Sequence, residues 1–171
     1  MKKLLLILAL LIPIMANAAK IVTDEKDAFT GERTVITSWE SFKQKSINIR
    51  FRLQNGNVYL DFKYITGSSI VIPQNGKLMF KGIDDNICEF NSVGLFKGGK
   101  GDGSVNLIGS SAWGIYANYT GDVAWFKDHI AALLRLYTTD GYEDKKLSDK
   151  EGKKLQELSI LFYNSIEKGI G

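Results

Sequence analysis

The stretch Ser46–Ile65, SINIRFRLQNGNVYLDFKYI, decides the fold class of this 171-residue chain. Apolar and polar residues alternate on both sides of Asn55-Gly56, and a period of two is typical of strands. Asn-Gly supplies the positive backbone angles that a two-residue hairpin turn requires. The stretch therefore predicts a β-hairpin with one apolar face. That face comprises Ile47, Ile49, Phe51 and Leu53 on the first strand and Val58, Leu60, Phe62 and Tyr64 on the second.

Short apolar segments separated by Gly and Asn continue this pattern on both sides of the hairpin. Pro73 and the QNG sequence at 74–76 predict a second hairpin, and GIDDN at 82–86 predicts a third reversal of the chain. Consecutive strands joined by short turns imply an antiparallel sheet. The further strands are expected at 34–39, 69–72, 77–80, 87–90, 105–108 and 112–119.

The pattern changes after residue 120. Thr120 or Asp122 is suited to cap a short helix of about two turns within TGDVAWFKDH at 120–129. The next segment, 130–139, contains helix-favouring Ala and Leu but ends in aromatic and β-branched residues. We predict that it forms a last, buried strand, with a helix continued from Asp122 as the alternative.

A long amphipathic helix is predicted beyond a turn at Asp140-Gly141. Ser148 and Glu151 form a capping box, in which each side chain binds the other residue's backbone amide. Apolar residues then recur at intervals of three and four, with Lys and Glu on the other face. Gly169 is suited to end this helix. The apolar positions are Leu155, Leu158, Leu161, Phe162 and Ile166.

An antiparallel sheet that is apolar on one face needs a cover, and the amphipathic helix provides one. We therefore predict a single α+β domain. Its curved antiparallel sheet has about seven to nine strands and packs against the long C-terminal helix, with the short helix before the last strand.

The first 20 residues, MKKLLLILALLIPIMANAAK, have the organisation of a secretory signal peptide. Two lysines precede an apolar run at 4–12, and Ala16 and Ala18 occupy the positions that signal peptidase reads. The run is shorter than the roughly 20 residues of a spanning helix. We expect cleavage after Ala18, export to the periplasm or beyond, and no membrane span in the mature domain at 19–171.

The mature chain is nearly neutral. The full chain has 22 basic and 19 acidic residues, so removal of Lys2 and Lys3 leaves 20 against 19, a net charge of +1. Such a balance does not favour a nucleic-acid partner. Cys88 is the only cysteine and His129 the only histidine, which excludes an intrachain disulfide and any site that needs two histidines. We interpret Cys88 as a small buried hydrophobe.

The glycine-rich segment at 94–104 partly matches a phosphate-binding P-loop. Gly94, Gly99 and Lys100 fit that motif, but Gly101 stands where a Ser or Thr hydroxyl must bind magnesium. A P-loop also opens a helix, whereas this segment is expected to join antiparallel strands. We interpret it as a mobile surface loop and expect no cofactor.

Catalytic and metal sites find little support. Asp128 and His129 are neighbours in sequence and would not face each other on a helix, and no G-x-S-x-G elbow is present. We interpret His129 as a partner for the negative end of the short helix. We therefore predict no catalytic or metal-binding residue and no enzyme activity. The acidic clusters lack calcium-loop spacing: Asp24, Glu25 and Asp27; Asp84 and Asp85; Asp140, Glu143 and Asp144.

Tyr59 and Tyr116 fall on strand positions opposite the main apolar set. Exposed aromatic rings on a rigid sheet form a contact surface, so both residues are candidates for one. The alternative is that a second layer, made by the N-terminal segment and loops, covers them.

The signal peptide, DAFTGERTVITSWES at 27–41, INIRFRLQNGNVYLDF at 47–62 and LLRLYTTDGYED at 133–144 together resemble small exported proteins of unknown function. Such proteins occur in Bacteroidota and in the phages that infect them. The resemblance covers most of the mature chain. It implies an envelope location and no activity, and it transfers no functional residue.

Two functional hypotheses follow. The first is a non-catalytic module that binds an envelope protein or a surface through its sheet. The alternative is an exported small-ligand carrier or hydrolase whose site assembles from distant strands. A flat, partly apolar patch favours the first, whereas a deep cavity lined by Arg50, Arg52 or Tyr59 favours the second.

Overall fold

A computed structural model describes residues 19–44, 46–100 and 112–168. Within these ranges the chain forms 13 strands and two helices. Several predicted features lie outside the described residues: the signal peptide with Ala16 and Ala18, the strand at 105–108, Gly101 and Gly169.

The strands are numbered in chain order. They are β1 (Ile21–Lys26), β2 (Arg33–Thr37), β3 (Glu40–Phe42), β4 (Ile47–Gln54), β5 (Asn57–Thr66), β6 (Val71–Ile72), β7 (Lys77–Gly82), β8 (Ile87–Ser92), β9 (Phe96–Lys97), β10 (Gly99–Lys100), β11 (Trp113–Gly121), β12 (Ala131–Thr138) and β13 (Gly141–Lys146). The helices are α1 (Trp125–Asp128) and α2 (Asp149–Lys168).

Eleven of the described strands form one sheet in the order β1-β2-β4-β5-β11-β8-β7-β12-β13, with β3 beside β4 and β10 beside β11. β6 and β9 form a separate ribbon. Every described pair is antiparallel. The predicted α+β class is confirmed, but the predicted seven to nine strands are too few. β3, β9 and β10 have only two or three residues and carry no readable periodicity, while β1 and β13 are six-residue strands with mostly polar sequences.

The central hairpin is confirmed. Asn55 and Gly56 have φ of 51° and 72°, and the turn pairs Gln54 with Asn57. This register places Arg50 opposite Asp61, a pairing that organises the outer face of the sheet.

The second predicted hairpin is wrong, because β6 pairs with β9 rather than with β7. Both edges of β7 are taken by β8 and β12, which leaves no edge for β6. The turn after Pro73 instead binds the end of β8: the amide of Asn75 donates to the carbonyl of Ser92 (3.1 Å), and that of Gly76 donates to its hydroxyl (2.9 Å). The third reversal, between β7 and β8, is confirmed.

Two predictions after residue 120 need correction. The short helix α1 has one turn, not two, and its N-cap is Ala124 rather than Thr120 or Asp122. Thr120 continues β11, while the carboxylate of Asp122 accepts from the amide of Ala124 at 3.0 Å and stabilises the turn. Segment 130–139 does contain the predicted strand β12. It is not the last strand, however, because β13 follows and has an exposed, charged sequence without the apolar alternation that marks a strand.

The long helix α2 begins as predicted. The amide of Ser148 donates to the carboxylate of Glu151 at 2.9 Å, and the amide of Glu151 lies 3.4 Å from the hydroxyl of Ser148. The buried face of the helix includes Leu155, Leu158 and Phe162. Its backbone lies directly on β12, since a Cβ at Gly152 would be 2.3 Å from the carbonyl oxygen of Ala131.

The core lies between the inner face of the sheet and the two helices. α1 inserts the ring of Phe126, whose centroid lies 4.8 Å from that of Phe80 and 5.8 Å from that of Phe90. Cys88 is buried beside this cluster, in agreement with its interpretation as a small hydrophobe. The sheet is strongly curved, because the Tyr64 hydroxyl on β5 donates to the Glu143 carboxylate on the distant strand β13 at 2.7 Å.

Candidate contact surface on the outer face of the sheet

The outer face is the side of the sheet that points away from α2. Alternation along β4, β5 and β11 directs their polar residues to this side, while their apolar residues enter the core. A group of eight side chains meets there, which we name the Asp61 cluster. It consists of Trp39, Arg50, Arg52, Tyr59, Asp61, Lys63, Tyr116 and Asn118.

Asp61 is at the centre of the cluster, and its side chain has no exposed surface. It accepts from Nε of Arg50 at 2.8 Å, from a terminal nitrogen of Arg52 at 2.9 Å and from the amide of Asn118 at 2.7 Å. Burial by itself raises the pKa of Asp61. The hydrogen bonds and charges of Arg52 and Arg50 together lower this pKa by more, so the net pKa is below 3.8. The carboxylate is therefore ionised and fixed in place.

Trp39 lies across the cluster from the connection between β2 and β3, so the predicted strand at 34–39 ends before it. The guanidinium carbon of Arg50 and Nζ of Lys63 each lie 4.5 Å from the Trp39 ring centroid. The ring of Tyr116 meets Trp39 edge-to-face at 6.1 Å. Both cations thus contact the electron-rich face of one indole.

Tyr59 and Tyr116 both lie on the outer face and are half-buried. The guanidinium of Arg52 lies 4.5 Å from the Tyr59 ring centroid, and the Tyr116 hydroxyl accepts from Asn118 at 3.0 Å. The described N-terminal segment pairs as β1 with β2, and Trp39, from the connection after β2, packs against Tyr116. Their role in a contact surface stays a prediction.

The donors of the cluster are unevenly used. Arg52 binds Asp61 through two nitrogens and Gln54 through the third. Arg50 binds Asp61 only through Nε, and within the described residues Lys63 has no carboxylate within ion-pair distance. Burial and the charge of Arg50 both lower the pKa of Lys63. Three cations therefore face one carboxylate, an excess of two positive charges.

A half-open groove of about 290 Å³ lies elsewhere on the outer face, over β7, β8 and β12. Its volume is at the lower limit of small-molecule pockets, roughly 300–1,000 Å³. Arg50, Arg52 and Tyr59, whose presence in a deep cavity would favour a carrier or hydrolase, do not line it. The lining residues are Met79, Phe80, Lys81, Ile87, Leu133, Arg135 and Tyr137.

Comparison with protein-family models, curated proteins and solved structures gives no match to this chain. The outer face is therefore interpreted from its own contacts.

His129 pairs with an acid that sequence reasoning did not select. Its Nδ1 lies 2.6 Å from the carboxylate of Asp84, not of Asp128, and its ring stacks on Trp125 at 4.7 Å. Hydrogen bonds from Asn86 and His129 lower the pKa of Asp84 to about 2. Within the described part of the chain, no hydroxyl or thiol is hydrogen-bonded to His129 to serve as a nucleophile.

The other sequence candidates have structural roles. Burial raises the pKa of the Cys88 thiol to about 12, which leaves it protonated at neutral pH. The first part of the predicted surface loop at 94–104 forms β9 and β10. In the ranges that the structure describes, no three His, Cys, Asp or Glu residues are grouped to hold a metal ion. None of the described helices is long and apolar enough to cross a membrane.

Sequence reasoning missed the central role of Asp61 and the positions of Trp39 and Lys63. One signal was available for Asp61. A two-residue turn at Asn55-Gly56 fixes the register of the hairpin, and that register puts a single acid opposite Arg50. No comparable signal existed for Trp39, which reaches the cluster from a connection.

Proposed function

We propose that this protein is an exported, non-catalytic interaction module that binds another protein or a surface through the Asp61 cluster. The observation that supports this most directly is the pair of cations, Arg50 and Lys63, that share the Trp39 ring without a full set of acceptors in the described chain. Buried or half-buried Trp, Tyr and Arg side chains are the residues that dominate binding at protein interfaces.

Rigidity supports the same proposal. Arg52 and Asp61 hold each other through three nitrogen–oxygen contacts, and both belong to the strands of the central hairpin. A partner that binds this surface loses little free energy to the ordering of side chains, since these are already fixed.

Export is supported by the sequence at 1–20, with its lysines, apolar run and small residues at Ala16 and Ala18. The N-terminus of the protein recovered from an envelope or secreted fraction tests this part of the proposal. Mass spectrometry is expected to find Ala19 as the first residue. An intact Met1 in the cytosol would contradict it.

The alternative, a small-ligand carrier, is supported by the groove over β7, β8 and β12 with its mostly apolar lining. A carrier would bind its ligand there and would not need the Asp61 cluster. The variant Leu133→Arg fills and charges this groove. If the interaction module is correct, this variant retains partner binding.

Site-specific photo-cross-linking tests the contact surface. The cross-linker p-benzoylphenylalanine replaces Tyr59 or Tyr116 in the cluster, or Tyr142 as the control. Tyr142 is a more exposed tyrosine, at 58%, on the edge strand β13. We expect a discrete cross-linked partner in the cell envelope from positions 59 and 116 and none from 142. Equal cross-linking from all three positions would refute the proposal.

A further inference from the structure

We infer that the Asp61 cluster binds the carboxylate of an acidic side chain on a partner protein, held by Arg50 and Lys63 beside Trp39. This inference rests on the proposed interaction function and names the chemistry that the surface recognises. Such binding requires an excess of positive charge, free hydrogen-bond donors of the correct geometry and neighbouring side chains that hold these donors in place.

The donors come from Arg50 and Lys63. Asp61 accepts a hydrogen bond from Nε of Arg50 only. The two terminal nitrogens of Arg50 have no acceptor among the described residues. The ammonium of Lys63 has no carboxylate partner in the same part of the chain. A guanidinium and an ammonium present up to five and three N–H groups, respectively, so several donors remain for a ligand.

The geometry favours a planar anion. A guanidinium that stacks on an aromatic ring keeps its N–H groups in its own plane, where a carboxylate is able to accept two of them. The guanidinium carbon of Arg50 lies over the Trp39 ring, 4.5 Å from its centroid, which is compatible with this arrangement.

The protein contains an internal example of the same recognition. On the same outer face, the guanidinium carbon of Arg135 lies 4.1 Å from the Tyr142 ring centroid. Two of its nitrogens bind the two oxygens of Asp144 at 2.6 Å and 2.7 Å. One arginine over an aromatic ring on this face thus binds a carboxylate through two nitrogens, and Arg50 retains the donors for a second carboxylate beside Asp61.

Asp61 and Arg52 position the site rather than fill it. Asp61 anchors Nε of Arg50, and Arg52 pairs with Asp61 through two of its own nitrogens. Burial and, after it, the charge of Arg50 lower the pKa of Lys63, and a bound carboxylate offsets the repulsion between the two cations. The excess of two charges matches one or two carboxylates, as on a short acidic segment.

Titration of the ¹⁵N-labelled mature domain with short peptides tests the inference. The probes are acetyl-Gly-Glu-Glu-Gly-amide and the matched neutral peptide with Gln at both Glu positions. The signal is the indole N–H of Trp39, assigned with Trp39→Phe. We expect this signal to shift with the Glu peptide only, and the shift to disappear in about 1 M NaCl because of screening.

Variants identify the donors. Lys63→Gln and Arg50→Gln are each expected to weaken binding of the Glu peptide about tenfold, since each removes charge-assisted hydrogen bonds. Arg135→Gln is the matched control, because that arginine is already paired with Asp144, and it should leave the affinity unchanged. If Arg50→Gln fails to fold, Arg50→Lys keeps the charge but removes the fork and should still weaken binding.

Other outcomes overturn the inference. An equal response to the Gln peptide, or an unchanged affinity in Lys63→Gln, excludes carboxylate recognition. Stronger binding of inorganic phosphate or of phosphatidylglycerol vesicles than of the Glu peptide assigns the cluster to phosphate groups or a membrane surface instead. If the Glu peptide fails while cross-linking at Tyr59 persists, only the ligand class is wrong. If cross-linking fails while the peptide binds, the anion site stands without the proposed protein partner.

Discussion

Two arginine–aspartate pairs on the same face of the sheet have similar parts but different surroundings. Arg52 with Asp61 and Arg135 with Asp144 each use two guanidinium nitrogens, and each guanidinium lies over a tyrosine ring. The side chain of Asp61 has no exposed surface, whereas that of Asp144 is 38% exposed. Asp61 also binds Arg50, while Asp144 has one cation within ion-pair distance in the described chain.

The difference in burial between Asp61 and Asp144 has consequences for both stability and recognition. An exposed ion pair contributes little to folding because water and salt screen it, whereas loss of one partner from a buried pair leaves an uncompensated charge. The exposed pair is neutral by itself, while the buried cluster has surplus charge at Arg50 and Lys63. We expect the buried cluster to determine both stability and partner choice.

The largest expected effect is that of Asp61→Ala. This substitution leaves Arg50 and Arg52 half-buried without their carboxylate, and we expect a loss of about 3–5 kcal/mol in the free energy of unfolding. Urea denaturation of the chain at 19–171 measures this loss. Asp144→Ala is the matched control, and its effect should be a small fraction of that value. Similar effects of both substitutions would show that burial does not separate the two pairs.

Wild type is expected to be more stable than Asp61→Asn at neutral pH, and this difference in the free energy of unfolding should disappear at low pH. The folded-state pKa of Asp61 is below the ordinary 3.8, so its stabilising effect is complete above that value and is lost as pH falls through the folded pKa. The stability difference between wild type and Asp61→Asn should therefore be constant near neutral pH and shrink below pH 3.8.

Urea denaturation at several pH values measures this difference. Because the comparison subtracts all other carboxylates, it isolates Asp61. A difference that already shrinks near neutral pH would mean that the pKa of Asp61 is raised rather than lowered.

The outer face was partly predictable from sequence. Alternation around Asn55-Gly56 placed Arg50, Arg52 and Tyr59 on the side opposite the core, because strand periodicity is a local property. The full surroundings of Asp61 were not predictable in the same way, since Asn118 reaches it from β11, a strand that is distant in sequence.

A local pattern predicted the start of α2, and elements without such a pattern account for the other differences. The start of α2 was predictable because all the hydrogen bonds of the capping box at Ser148 are local. β13 has charged residues and no apolar alternation, so only its pairing with β12 makes it a strand. β6 was assigned to the wrong partner because tertiary competition for the edges of β7 decides that pairing.

A substitution at Tyr119, on the inner face of the sheet, is expected to raise the free energy of unfolding rather than lower it, and by a smaller amount. Its side chain has no exposed surface, like that of Asp61, but its hydroxyl has no hydrogen-bond partner in the part of the chain that the structure describes. Burial raises the pKa of this hydroxyl, so it stays neutral. Removal of an unsatisfied polar atom relieves a desolvation penalty, so Tyr119→Phe should stabilise the fold by about 1 kcal/mol.

Thermal and urea unfolding of Tyr119→Phe measure this gain, with Tyr64→Phe as the control. The Tyr64 hydroxyl donates to Glu143, so its removal should destabilise the protein. Destabilisation by both substitutions would mean that Tyr119 has a polar partner in solution.

The smallest expected effect is the coupling between Arg135 and Asp144. A double-mutant cycle, built from Arg135→Gln, Asp144→Asn and the combined variant, isolates this pair from the other contacts of each residue. The same cycle for Arg52 and Asp61 provides the comparison.

At about 1 M salt the screening length falls to about 3 Å, so the coupling of the exposed pair should vanish. The coupling between Arg52 and Asp61 should persist, because salt does not reach a carboxylate with no exposed surface. Equal loss of both couplings would place Asp61 in contact with solvent, which would contradict the burial that distinguishes the two pairs.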